Sequence, residues 1–152
     1  MDVQLRDEAI DGPSGTVLLA AFEAELAGLY PGWHRGVGPG ASVAELSSPG
    51  GGFVVAYLAG KAAGCGGFKR LDVRCAELKR MYVPPRTRSQ GVGRIVLTAI
   101  EDRARRAGYT LMRLDTGTAQ RAAHGLYLSA GYQAIPDYNA NPVANLWFEK
   151  PL

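Results

Sequence analysis

The clearest pattern of apolar and polar positions lies in residues 91–107. Apolar side chains recur there at spacings of three and four, as on one face of an α-helix: Val92, Ile95, Val96, Ala99, Ile100, Ala104 and Ala107. Gly108 suits the position just beyond a helix end, and arginines precede it where the helix dipole is negative. The pattern predicts a long helix, followed by a strand over residues 109–115.

Residues 53–83 show the pattern of three strands. The run over residues 53–59 is strongly β-prone, Gly60 and Lys61 form a turn, and residues 62–71 return as the second strand of a hairpin. Residues 74–83 form a third strand, antiparallel to the second. Pro84 and Pro85 end it, because proline cannot donate a hydrogen bond to a sheet.

This third strand does not keep the two-residue period of a regular strand. The apolar step from Leu78 to Met81 is three residues. One extra residue near Lys79 and Arg80 would restore the alternation, so we expect a β-bulge there. A bulge leaves main-chain groups unpaired, and a ligand could bind to them.

The remaining elements are predicted with weaker patterns. We expect a first strand over residues 3–6 and a helix over residues 14–29, with Ser14 as its N-cap. A short helix over residues 41–47, a helix over residues 120–130 and strands over residues 132–135 and 146–150 complete the prediction. The two strands that flank the helix of residues 91–107 should be parallel. Residues 1–152 are predicted to form one α+β domain with a mixed sheet.

Composition narrows the class of protein only modestly. No apolar segment approaches the roughly 18 residues that suggest a transmembrane helix, and the N-terminus lacks a signal-peptide pattern. We therefore expect a cytoplasmic protein with no membrane association. Cys65, Cys75, His34 and His124 do not form a cluster with metal-ligand spacing, so no metal site is predicted.

Charge is distributed unevenly along the chain. Residues 69–121 contain thirteen basic and five acidic side chains, whereas the whole chain has a formal net charge of +3. A local positive field suits a small polyanionic ligand. Nucleic acid is the competing partner. Aromatic residues are not interleaved with these basic side chains as in a stacking platform, so no nucleic-acid partner is predicted.

A loop with two glycines, Arg88-Ser-Gln-Gly-Val-Gly93, precedes the long helix. Free N–H groups at a helix start bind anions, and glycines let a phosphate approach the main chain. The loop lacks the lysine of a Walker A motif. It also lacks the third glycine of the dinucleotide fingerprint, since Val96 stands there. A plain turn before a helix would explain only one of the glycines.

Three motifs in this order resemble the GNAT superfamily of N-acetyltransferases. Residues 77–83 (ELKRMYV) resemble its bulged central strand, residues 88–94 (RSQGVGR) its pyrophosphate loop, and residues 122–132 (AAHGLYLSAGY) its later helix. The resemblance covers residues 53–152. It implies a three-layer α+β fold, in which about four helices flank a mixed, mostly antiparallel sheet of six or seven strands with a splayed, bulged central strand.

The resemblance also implies transfer of an acetyl group from acetyl-CoA to a primary amine, by direct attack in a ternary complex. The diphosphate would lie on the glycine loop and the pantetheine amides along the bulged strand. Gln120 stands seven residues before Tyr127, where the family often has Asn. The residues implied in donor binding are Met81, Tyr82, Val83, Arg88, Ser89, Gln90, Gly91, Val92, Gly93, Arg94 and Gln120.

Catalysis is expected to need a general acid and a general base. Tyr127 is the candidate acid, the alternative being a core tyrosine. Glu77 is the candidate base, directly or through water, the alternative being a solvated carboxylate paired with Lys79 or Arg80. A non-catalytic acyl-CoA-binding regulatory module remains the second functional class.

The acceptor is expected to be a small-molecule or peptide amine whose identity the sequence does not specify. Tyr30, Trp33 and Tyr138 are candidates for its site, since they lie in or beside the irregular segments that follow the first helix and precede the last strand. A homodimer is common in the family and is possible here.

Overall fold

A seven-stranded sheet runs through the computed structural model, which describes residues 2–152. The strands are β1 (Val3–Asp7), β2 (Gly52–Leu58), β3 (Lys61–Arg70), β4 (Cys75–Tyr82), β5 (Leu111–Thr116), β6 (Gln133–Ala134) and β7 (Leu146–Pro151). They lie in the order β1-β2-β3-β4-β5-β7-β6, and only β4 and β5 are parallel neighbours. The predicted mixed sheet and its parallel pair are confirmed.

Helices cover both faces of this sheet. They are α1 (Pro13–Leu29), α2 (Val92–Arg106) and α3 (Arg121–Ser129), with a 3-10 turn at Pro85–Thr87. The two faces of β2 show the layering, because Val54 and Ala56 pack with α2, whereas Val55 and Tyr57 pack with Leu18 of α1. The three-layer α+β fold is therefore confirmed.

The helix count is three among the described residues, not about four. The fourth was expected over residues 41–47, which form turns instead. Ser42 and Glu45 cap each other, since each main-chain N–H bonds the other's side chain at 3.0 and 3.1 Å. This arrangement starts a helical turn, but Pro49 and the following glycines prevent its continuation. Leu46 fixes the turn to the core, where it is 2% exposed.

The start of α1 also differs from the prediction. The helix begins at Pro13 with Gly12 as N-cap, so Ser14 is not the cap. Proline is favoured at the first helical position, because its fixed φ suits the helix and its missing N–H would have no partner there. The Ser14 hydroxyl instead lies 2.7 Å from that of Tyr57 and ties the helix to β2.

The predicted bulge is present in β4. Cys65 pairs with Tyr82 and Gly67 with Lys79, so two steps along β3 face three along β4. Arg80 takes up the extra residue with a left-handed φ of 59°. On its other side β4 pairs with β5 only from Cys75 to Glu77, and the two strands then separate. This splay opens the sheet where the candidate site lies.

Within residues 2–152, no helix combines the length and the apolar character that crossing a bilayer requires.

Candidate active site

The glycine loop before α2 presents a row of unpaired main-chain donors. None of the six N–H groups of residues 89–94 donates a hydrogen bond to any atom of residues 2–152. Ser89 and Gly91 have left-handed φ angles of 63° and 83°, which turn the chain sharply into the helix. Together with the positive end of the α2 dipole, these donors form an anion site.

A groove of about 590 Å³ extends from this loop between β4, α1 and α3. It is lined by ten of the eleven residues expected to bind the donor: Met81, Tyr82, Val83, Arg88, Ser89, Gly91, Val92, Gly93, Arg94 and Gln120. Gln90 is the exception, since it is exposed and its amide donates to the Arg86 carbonyl at 3.3 Å.

The positive charge along the groove differs from the expectation. Arg88 bonds both carboxylate oxygens of Glu25 at 2.6 and 2.9 Å, so most of its charge is balanced within the protein. Arg94 bonds the Ser129 hydroxyl on α3 and keeps its charge at the loop. Arg121, which the motifs did not single out, lines the opposite wall.

The splay leaves one edge of β4 without a neighbouring strand. Beyond Glu77, the main chain of β4 that faces β5 has no pairing partner among the described residues. Met81 lies on this stretch and also lines the groove. The Val83 carbonyl, in contrast, already accepts a 2.8 Å bond from the Arg88 side chain. A strand-like ligand therefore has a free edge chiefly around Met81.

A smaller cavity of about 120 Å³ lies at the splay itself. It shares Phe22, Met81 and Gln120 with the groove, so the two spaces adjoin. Its other lining residues come from α1, the loop after it, β4, β5, α3 and the loop before β7: Leu26, Tyr30, Trp33, Val37, Pro39, Leu78, Lys79, Arg80, Leu114, Asp115, Thr116, Tyr127, Asn141, Val143 and Ala144.

Tyr30 and Trp33, two of the residues considered for an acceptor site, both line this cavity. The Tyr30 hydroxyl donates to the Gln120 amide oxygen at 3.1 Å, so Gln120 joins the cavity wall to the groove. Gly117 allows this approach, since a Cβ built there would lie 1.9 Å from the Tyr30 hydroxyl oxygen.

Tyr127 is both a core residue and a cavity residue. Its side chain is 4% exposed, and its ring packs edge-on against Tyr132 with centroids 5.8 Å apart. Its hydroxyl makes no hydrogen bond within residues 2–152, and Tyr127 is one of the residues that line the cavity. Burial, with a smaller contribution from the Asp115 charge, raises the pKa of Tyr127 well above its ordinary value. The phenol therefore stays protonated and available as a donor.

Glu77 and Tyr138 lie together beside the cavity rather than in its lining. Glu77 is 2% exposed and accepts a 2.6 Å bond from the Tyr138 hydroxyl, while Lys79 lies 3.3 Å from its other oxygen. Glu77 is thus a buried carboxylate paired with Lys79, not a solvated one. The loop before β7 contributes Asn141 to the cavity instead of Tyr138.

Asp115 is the carboxylate that does line the cavity, and the motifs did not identify it. One of its oxygens accepts a bond from the Asn139 amide at 2.5 Å, and the other has no partner among the described residues. Asn139 also reaches Glu77 at 3.4 Å and accepts a bond from the Trp147 indole at 3.0 Å. Its position could have been inferred, because parallel strands end at the same edge and Asp115 lies near the end of β5.

The other titratable residues considered for function lie elsewhere. His124 packs against Phe148, with ring centroids 5.8 Å apart. Cys65 and Cys75 are free and buried, and burial raises their thiol pKa values to about 12 and about 11. Within residues 2–152, no group of three or more His, Cys, Asp or Glu side chains is arranged to hold a metal ion.

Comparison with known proteins places this fold and site in a family. The acetyltransferase (GNAT) family model matches residues 5–132, so the chain belongs to the GNAT acetyltransferases. The match begins at residue 5, well before the first motif recognised in the sequence. An IAA acetyltransferase of Azospirillum brasilense is 33% identical over 140 residues, which cover 89% of this chain and 88% of that protein.

Solved structures share the fold over its full extent. A GNAT-family acetyltransferase from Staphylococcus aureus Mu50 superposes with a TM-score of 0.80, covering 99% of both chains at 18% identity. The PaiA N-acetyltransferase of Thermoplasma acidophilum, solved in complex with coenzyme A, gives a TM-score of 0.73, covering 100% of both chains at 19% identity.

Proposed function

We propose that this protein is an N-acetyltransferase that moves the acetyl group of acetyl-CoA to a primary amine by direct attack in a ternary complex. One observation carries the proposal. A groove that begins at six unpaired N–H groups adjoins, at Met81 and Gln120, a cavity that contains Asp115 and Tyr127. The groove that suits the donor thus meets the two candidate acid–base residues at the place where the acetyl group would pass from donor to acceptor.

The groove fits a CoA thioester. The N–H groups of residues 89–94, with Arg94 and Arg121, would hold the diphosphate, and the free edge of β4 at Met81 would hold the pantetheine. Gly93 keeps the groove open, since a Cβ there would lie 3.2 Å from Leu126 and 3.6 Å from Val83, both lining residues. Acetyl-CoA supplies the acetyl group on a thioester when bound.

Asp115 is proposed as the general base. An amine is mostly an ammonium near neutral pH and must lose a proton before its nitrogen can attack. The Asp115 oxygen without a hydrogen-bond partner would accept this proton, and Asn139 holds the other oxygen in place. The base predicted at Glu77 stays a prediction, but both Glu77 oxygens already have partners and neither Glu77 nor Tyr138 lines the cavity.

Tyr127 is proposed as the general acid that protonates the leaving thiolate sulfur. Its raised pKa keeps the phenol protonated, and its hydroxyl has no competing acceptor within residues 2–152. The amine nitrogen forms the new bond to the acetyl carbon as the carbon–sulfur bond breaks. Asp115 takes one proton from the ammonium, and Tyr127 supplies one to sulfur. The second proton, which nitrogen loses as the amide forms, returns to the Tyr127 phenolate.

Turnover is tested with a panel of primary amines and acetyl-CoA, read as thiol release and as acetylated product by mass spectrometry. The protein's own thiols should stay silent toward the thiol reagent, because both are buried with raised pKa values. Asp115→Asn is expected to lower kcat/KM by about 100-fold or more, the range typical of a lost general base.

Glu77→Gln is the comparison that separates the two candidate bases. Its effect on kcat/KM should be smaller than that of Asp115→Asn, while its free energy of unfolding falls by roughly 3–5 kcal/mol, because Lys79 is left buried without its partner. A folded Glu77→Gln protein without turnover, beside an active Asp115→Asn, would assign the base to Glu77. Coenzyme A binding with no turnover on any amine would instead support the non-catalytic module.

A further inference from the structure

Arg80 is a partly buried cation that lines the small cavity and has no partner for its charge among residues 2–152. Within residues 2–152, no atom accepts a hydrogen bond from its guanidinium and no carboxylate forms an ion pair with it. Burial lowers the pKa of Arg80 against its ordinary value, but an arginine stays charged. A partly buried charge without a counter-charge makes this cavity suitable for binding an anionic group.

The main chain holds Arg80 in this position at a conformational cost. Its left-handed φ of 59° is unfavourable for a long side chain, and Arg80 is the residue that the bulge of β4 inserts. Such strain concentrates at functional sites. The bulge thus places Arg80 among the residues that line the cavity.

Nearby carboxylates do not neutralise Arg80. Glu23 interacts with it through space but forms a two-point ion pair with Arg35, at 2.6 and 2.7 Å. Asp115 also interacts with it through space, but bonds to Asn139. Lys79, the other cation of the lining, already pairs with Glu77. Arg80 is therefore the one lining cation in residues 2–152 without a counter-charge.

The donor's phosphates are not placed to pair with Arg80. The phosphate-binding loop of residues 89–94 lies in the groove, and Arg80 is not among the residues that line the groove. The acetyl thioester that would reach the cavity is neutral. An anionic group that pairs with Arg80 would then belong to the acceptor.

The rest of the cavity matches an acceptor with two charges. Asp115 suits an ammonium, Arg80 suits an oxyanion, and Phe22, Trp33 and Val37 form an apolar wall. Thr116 adds a second polar group without a partner, since it is 6% exposed and its hydroxyl makes no hydrogen bond within residues 2–152.

We propose that the acceptor is an amine that also carries an oxyanion group, a carboxylate or a phosphonate, which binds Arg80 while its amine meets Asp115. This inference rests on the proposed acetyl transfer and specifies its substrate class. An apolar amino acid is the simplest compound of this kind. An arginine fork pairs in two-point fashion with either oxyanion.

The test uses acceptors that differ only in the anion. Leucine is compared with isoamylamine and leucinamide, and phenylalanine with phenethylamine and with the phosphonate analogue of phenylalanine. For the native protein, kcat/KM should be roughly 10- to 100-fold higher with the anionic member, the range of a hydrogen-bonded charge pair. The phosphonate arm shows which oxyanion is preferred.

Variants at Arg80 identify the group that causes the preference. Arg80→Gln should bring the ratio of anionic to neutral acceptor close to one, and Arg80→Lys should keep part of it. Arg105→Gln removes the same charge from an exposed site on α2, where Arg105 pairs with Asp102, and should leave the ratio unchanged. A native-like ratio in folded Arg80→Gln would overturn the inference.

Other outcomes separate this inference from the proposed function. An equal loss for both members of each pair would mean that Arg80 acts on the donor thiolate, which overturns the inference. Turnover confined to amines without an anion overturns it too, while acetyl transfer stands. If no amine is acetylated, calorimetry of leucine and isoamylamine with the coenzyme A complex decides. Binding that needs both the carboxylate and Arg80 supports the inference, and equal binding rejects it.

Discussion

At the scale of single residues, Tyr127 occupies a core position that also borders the cavity. Its ring packs against Tyr132 within the larger hydrophobic cluster, and the residue is part of the cavity lining. The apolar helix face on which it lies therefore does not exclude a catalytic role. The ring supplies packing, and the unpaired hydroxyl is the group proposed to donate the proton.

Tyr127→Phe tests this division, because it removes the hydroxyl and keeps the ring. We expect kcat to fall by about 100-fold, since a positioned general acid contributes about 10²- to 10⁴-fold. The KM for acetyl-CoA should change little, and so should the melting temperature, because no hydrogen bond to a protein group is lost. Steady-state kinetics and thermal unfolding provide the measurements.

Tyr109→Phe is the matched control for this substitution. The Tyr109 hydroxyl donates to the Gly50 carbonyl at 2.6 Å, and Tyr109 does not line the groove or the small cavity. Its loss should cost about 1 kcal/mol of stability and leave kcat unchanged. Full turnover in Tyr127→Phe would rule out its role as the acid.

At the scale of elements, the loop before α2 depends on one residue, Gly91, which both starts the helix and lines the groove. Gly91 is the N-cap of the helix, has a left-handed φ of 83° and lines the groove. Any side chain there meets open space, so the cost of a substitution comes from the main chain alone. The loop geometry, rather than packing, makes glycine the favoured residue.

Gly91→Ala is expected to strain the loop by about 1–2 kcal/mol. If the loop relaxes by moving its N–H groups, the KM for acetyl-CoA should rise by up to roughly tenfold, because 1.4 kcal/mol corresponds to tenfold in binding. Measurements of KM for acetyl-CoA and of calorimetric coenzyme A affinity check this expectation.

Gly108→Ala is the control, because it makes the same substitution at another glycine with a positive φ. Gly108 follows α2 with a φ of 100°, also has open space around it and lies away from the groove. It should lose similar stability without a change in the KM for acetyl-CoA. Equal KM values in the two variants would show that the main chain at Gly91 does not contact the donor.

At the scale of the whole molecule, the sheet joins two hydrophobic clusters into one structure. Alternate residues of β2 belong to different clusters, with Val54 in that of α2 and Val55 in that of α1. Loss of one layer would expose the sheet that supports the other. We therefore expect residues 2–152 to unfold as one cooperative unit.

This expectation is tested with a substitution near one end of the sheet and a fluorescent probe near the other end. Leu18→Ala removes a side chain of α1 that is 3% exposed and should cost about 2–5 kcal/mol. In a Trp33→Phe background the remaining tryptophan, Trp147, lies on β7 at the other end of the sheet. Its fluorescence and the far-UV circular dichroism should shift together.

Val17→Ala serves as the control on the same helix, because Val17 is 69% exposed and should have almost no effect. A Trp147 transition that does not shift in Leu18→Ala would show that the two ends of the sheet unfold separately.

Much of this architecture was predictable from local pattern. The 3.6-residue period of α2, the break in the period of β4 and the two glycines each act within a few residues. Their consequences appear where expected, as a helix at Val92–Arg106, a bulge at Arg80 and a groove that begins at the glycine loop. The short helix over residues 41–47 was wrong, because reciprocal capping and one anchored leucine stabilise a single turn as well as a helix start.

The sequence by itself determined the fold class, the family resemblance and the place of the glycine loop, because each depends on neighbours along the chain. Only the tertiary structure decided which charges remain available. Arg88 is balanced by Glu25 at a separation of 63 residues, and Glu77 is bonded by Tyr138 at 61. Asp115, Tyr127 and Arg80 line one cavity because β4 and β5 part beyond three paired residues. Whether a charge is paired depends on contacts across the sheet, which local periodicity does not encode.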